Sequence, residues 1–99
     1  MTIEKKKECG RLVISLNGRL DTTTAPQLQE ELIPEFDVAK SILLDFAELV
    51  YVSSAGLRVL LLGEKTATAK YADQSLTGVS DEIMEIFEMT GFADILRFE

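Results

Sequence analysis

The chain has 99 residues, 46% of them hydrophobic and 27% charged, which suits one domain with an ordinary core and leaves no room for two. Its net charge is −7 and its only basic run is Lys5-Lys6-Lys7, so nucleic acid is not an expected partner. With no histidine and a single cysteine, Cys9, it cannot build Ser-His-Asp or Cys-His catalysis, the usual zinc sites or an internal disulfide.

Thr2 to Glu8 reads as a charged strand whose lysines protect an edge. Cys9-Gly10 offers a tight turn, with Cys9 expected to be small and partly buried. In Arg11 to Leu16 the alternation of Leu12, Ile14 and Leu16 buries one face, which predicts an antiparallel hairpin. Gly18-Arg19-Leu20-Asp21 then leaves the strand. Thr24 with Gln27 fits a capping box and Pro26 fits a first helical turn. Leu28 and Leu32 form the inner stripe, and Pro34 ends that helix.

Ser41 to Phe46 reads as a central strand, and Ala47 to Val52 as a connection. A four-turn helix follows from near Ser54 to about Ala69, with Leu57, Leu60 and Leu61 on one face. Ser75 to Val79 reads as a further strand, reached by a parallel crossover. Ser80 caps a last helix carrying Asp81 and Glu82 in its first turn, Ile83, Ile86 and Phe87 inside, and Gly91 as C-cap. Ile95, Leu96 and Phe98 are expected to pin the tail. No apolar run is long enough to span a bilayer and the N-terminal lysines precede no apolar segment, so no membrane insertion and a cytoplasmic location are expected.

There is no metal-ligand spacing, P-loop or dinucleotide fingerprint, so no cofactor and no enzyme activity are expected. Glu30 with Glu31, and Asp81 with Glu82, read as solvated helix surface. Tyr51 reads as strand-end packing with its hydroxyl outward. Asp21 follows an apolar strand and precedes a capped helix; a turn acid bonding nearby N–H groups is one reading of it. Ser53 and Ser54 lie where a strongly apolar helix begins. Capping accounts for one of them and surface polarity for the other, but a helix start also favours a phosphate on serine. Gly56, just inside, implies close approach of another backbone, from a partner or from a neighbouring strand.

Gly18-Arg19-Leu20-Asp21, Ile42 to Asp45, Val52-Ser53-Ser54-Ala55-Gly56-Leu57 and Glu85 to Phe92 follow one another in this order along the chain. Together they resemble the STAS-domain family, specifically stand-alone bacterial anti-sigma factor antagonists. The resemblance implies a single α/β STAS domain over residues 1–99, a mixed β-sheet with helices mainly on one side. It implies a regulatory protein that binds an anti-sigma factor serine kinase, frees a sigma factor, and is released when the kinase phosphorylates it. A PP2C-type phosphatase would reverse the mark. Carried over by motif, Ser54 is the phosphoacceptor, with Ser53 as the alternative. Asp21, Ser53, Ser54, Ala55, Gly56 and Leu57 form the partner-binding set. Ser53 stands where many members have aspartate and Ala55 where serine or threonine is common. A second implied role is a non-phosphorylated STAS adaptor or scaffold subunit of a sensory or lipid-transport complex.

Overall fold

The structure, a computed structural model, describes residues 1–99. Two strands, β1 (Thr2–Glu8) and β2 (Arg11–Leu20), form the antiparallel hairpin, with Ile3 opposite Leu16 and Lys7 opposite Leu12. Helix α1 (Ala25–Leu32) leads through a 3-10 turn, Ile33–Asp37, to β3 (Ser41–Val52). Helix α2 (Ser54–Ala69), strand β4 (Asp73–Thr77) and helix α3 (Asp81–Thr90) complete the chain. The sheet order is β1-β2-β3-β4, and the β2–β3 and β3–β4 pairs are parallel, each joined by a helical crossover.

The alternation of β2 and β3 aims Leu12, Ile14, Leu16, Ile42, Leu44 and Phe46 at the helices. Leu28 and Leu32 of α1, Leu57 and Leu60 of α2, and Ile83 and Phe87 of α3 meet them in one continuous core. That is the mixed sheet with helices on one side. Ser80 caps α3 by accepting from the Ile83 N–H at 3.2 Å, and Gly91 closes it in the left-handed conformation at φ 84°.

Several elements depart from the sequence reading. β2 continues to Leu20 instead of leaving at Gly18, and β3 continues through Ala47–Val52 instead of ending at Phe46. Register shifts between Ser15 and Asn17 and between Gly18 and Arg19 break the period-two pattern that marks a strand, while pairing persists to Leu20 opposite Val52. β4 lies two residues earlier than expected. Its core-facing Gln74 is fully buried, so a polar residue stands where the alternation calls for an apolar one. Pro34 does end α1 as expected, with Ile33 as its C-cap, and the one addition is the 3-10 turn that follows. Cys9 is exposed, not partly buried, because it sits in the hairpin turn at φ 51°. In the tail, Leu96 is buried but Ile95 is exposed; Leu76 N–H donates to the Arg97 carbonyl and Glu99 N–H to the Leu76 carbonyl, both at 2.8 Å.

Candidate functional site

The C-terminal ends of β2 and β3 bring the predicted residues together. Val52 pairs with Leu20, and the Ser53 N–H donates to the Leu20 carbonyl at 2.8 Å. The chain then enters α2. Ser53 is its N-cap, in extended backbone, and its Oγ accepts a long bond, 3.4 Å, from the Gly56 N–H. Ser53 is half-buried by this role. Ser54, the first residue of the helix, is exposed and takes no part in the cap. The two serines therefore divide as the residue reading allowed: one holds the helix start and the other is presented at it.

Gly56 is buried because the end of β2 lies against it. A Cβ there would come within 2.7 Å of Leu20 Cγ and 3.1 Å of the Leu20 carbonyl oxygen. The close approach is thus a neighbouring strand. Leu57 is also buried, in the core. Gly56 and Leu57 place the site from beneath; Asp21, Ser53, Ser54 and Ala55 reach its surface.

Asp21 is half-buried in the loop that follows β2. Its Oδ1 accepts from the N–H groups of Thr23 at 3.0 Å and Thr24 at 3.1 Å, and its carbonyl accepts from the Ala25 N–H at 2.8 Å. The backbone N–H of Thr24, then that of Thr23, the Thr24 hydroxyl and the Arg19 charge hold its carboxyl below the usual range, against a smaller opposing effect of burial. Asp21 therefore organises the start of α1 itself. The expected capping box of Thr24 with Gln27 is not formed. The Thr24 hydroxyl is already used, donating to the Arg19 carbonyl at 2.7 Å and accepting from the Asp21 N–H at 2.8 Å. Asp21 Oδ2 has only Arg19 Nε near it, at 3.9 Å.

Arg19 and Tyr51 face each other across the paired strands, and the guanidinium stacks over the ring at 4.4 Å from its centroid. Tyr51 is more than strand-end packing: it fixes a cation beside Asp21. Sequence reading did not single out this pair, since a bulge separates the two residues from any regular register. Between α1 and α2 runs a shallow cleft of about 320 Å³, lined by Thr22, Pro26, Gln29, Ala55, Arg58 and Leu62 among others. One wall begins beside Asp21 and the other beside Ser54. Arg58 was also missed; its signal was its place one helical turn after Ser54.

No group of metal-ligating side chains is assembled. No helix is long and apolar enough to cross a membrane.

The family model described as "Mlab, STAS domain" matches residues 2–97. The protein named "Putative anti-sigma factor antagonist BtrV" of Bordetella bronchiseptica is 34% identical over 96 residues, covering 96% of this chain and 83% of that one. The anti-sigma-B factor antagonist of Listeria monocytogenes is 31% identical over 97 residues, covering 96% of this chain and 84% of that protein. The fold matches the anti-sigma factor antagonist SpoIIAA in its unphosphorylated form (TM-score 0.77, 17% identity, 99% of this chain and 87% of that one). It also matches the Bacillus cell fate determinant SpoIIAA in the phosphorylated form (TM-score 0.76, 18% identity, 99% and 91%).

Proposed function

The chain belongs to the STAS-domain family, and on that premise we propose that it is an anti-sigma factor antagonist switched by reversible phosphorylation of Ser54. It binds an anti-sigma factor that is also a serine kinase, and so frees a sigma factor for transcription. A PP2C-type phosphatase restores the binding form. It works in the cytoplasm and catalyses nothing itself.

The observation that carries this reading is the division of labour at α2. Ser53 supplies the cap, so Ser54 stands exposed at the end of the sheet from which Asp21 also leaves, next in sequence to the cleft residue Ala55. That exposure supports Ser54 over Ser53 as acceptor. A phosphate adds about −1.5 to −2 charges. At a helix N-terminus it is itself favoured by roughly 0.3–1 kcal/mol, so the fold survives. A partner docked over Asp21 would have to desolvate the new dianion, and such mismatches cost several kcal/mol. Release follows from local charge, without a large change of shape.

The experiment compares the unmodified chain with Ser54→Asp for binding to the anti-sigma factor recovered with the unmodified chain. The expected outcome is at least a tenfold loss of affinity, about 1.4 kcal/mol, with an unchanged circular dichroism spectrum. Equal affinity of the two proteins contradicts the switch. Ser53 stands where the family motif often carries aspartate, and this favours a second reading: a constitutive adaptor using the same surface without modification. Intact mass after incubation with the kinase and ATP separates the two, since only the switched protein gains a phosphate.

A further inference from the structure

Three of the four arginines are held by carboxylates. Arg11 meets Glu99 at 2.6 Å, Arg97 meets Asp73 at 2.8 Å and Glu64 at 3.8 Å, and Arg19 lies 3.9 Å from Asp21 while stacked on Tyr51. Arg58 alone has no carboxylate beside it. It is exposed, and it is the one charged side chain that lines the α1–α2 cleft. In a chain of net charge −7, a lone unpaired guanidinium next to the proposed switch calls for an anionic counterpart.

The helix supplies the geometry. Residues four apart share a face, and side chains lean toward the helix N-terminus, over the preceding turn. Arg58 therefore stands one helical turn after Ser54, on the same side of α2. An acid placed N-terminal to a base at this spacing is the favourable order. The guanidinium fork also matches phosphate oxygens two at a time. Arg19, the other cation in the neighbourhood, is committed to Tyr51 and Asp21. Ser53 lies five residues before Arg58, off its face, and spends its hydroxyl on the cap.

We propose that Arg58 is the positioning residue of the switch, capturing the phosphate on Ser54 within the helix. Phosphorylation then does two things at once. It adds a dianion at the rim and withdraws the cleft's single cation from an acidic group of the docked partner. The inference rests on Ser54 being the modified residue, and its test does not need the kinase.

Phosphoserine is installed at position 54 by genetic-code expansion and its phosphate is titrated by phosphorus NMR. With Arg58 present, the second ionisation, ordinarily at about 6, falls below that of the Arg58→Gln protein by about 0.4 pH unit at low salt. Arg58→Lys retains most of the shift, and added salt diminishes it. Because Arg58 is exposed, circular dichroism of the three proteins is expected to coincide. Identical titrations of the parent and the Arg58→Gln protein would overturn the capture. Absence of phosphate on Ser54 in cells would instead overturn the proposed function while leaving the titration result intact, so the two failures are distinguishable.

Discussion

At the scale of single residues, two carboxylates carry opposite linkage to pH. Asp21 is held ionised by the Thr24 and Thr23 N–H groups and by Arg19. Its folded ionisation lies below the unfolded one, so its stabilisation is complete above about pH 4 and is lost as pH falls through the folded value. Glu64 is the reverse. Burial raises it first of all; Arg97 opposes this, and Asp73 raises it further. One of its oxygens is buried without a hydrogen-bond partner. Folding favours its neutral form, so its contribution is full below about pH 4 and is lost as pH rises through the folded value. Thermal melts across pH check both signs. Asp21→Asn is expected to melt lower than the parent at pH 7, with the gap closing on acidification. Glu64→Gln is expected to melt higher at pH 7, and that gap also closes in acid. A Glu64→Gln protein less stable than the parent at neutral pH would contradict the assignment.

The same scale shows what was legible in the residues alone. Asp21, Ser53 and Ser54 stand out because each type has a known use at a loop or helix start, and the structure puts them at one end of the sheet. Arg58 and the Arg19–Tyr51 stack do not stand out. An arginine on a helix is ordinary until its neighbours are known to be empty of carboxylates, and a cross-strand stack is invisible until the register is known. Thr24 misled for a related reason. Its spacing to Gln27 fits a capping box, but the preceding strand end claims its hydroxyl first.

At the scale of elements, the end of β2 and the start of α2 behave as one unit. Leu20 is fully buried, its carbonyl holds the Ser53 N–H, and Gly56 leaves the space in which Leu20 lies. Gly56→Ala would gain up to about 1 kcal/mol of helix propensity. It would also push on Leu20, and overpacking costs about 1–3 kcal/mol. The expected outcome in chemical denaturation is a net loss of roughly 1 kcal/mol, with weaker partner binding because Asp21 follows Leu20 directly. Wild-type stability together with wild-type binding would contradict this coupling. The hairpin, α2 and α3 were legible because their hydrophobic periods are clean and their caps stand where expected. The outer halves of β2 and β3 were not, because bulges shift the buried positions off period two; Leu49 and Val52 are buried three residues apart. β4 was displaced because Gln74, whose amide donates to the Leu60 carbonyl of α2 at 3.1 Å, fills a core position with a polar group.

At the scale of the molecule, the packed helices cover one face of the sheet, and the proposed switch lies at one end of that layer. The core continues beneath the site through Leu20, Leu57 and Leu60, all buried. Charge added at Ser54 is therefore expected to alter docking at the proposed switch without disturbing what holds the fold. Phosphosite mapping of the chain recovered from its own host, under conditions in which the sigma factor is active and inactive, tests this most directly. The prediction is a single phosphate on Ser54, abundant when the sigma factor is silent and depleted when it is active. A chain carrying no phosphate at Ser53 or Ser54 in either condition would contradict it, and a phosphate confined to Ser53 would contradict the assignment of the exposed serine.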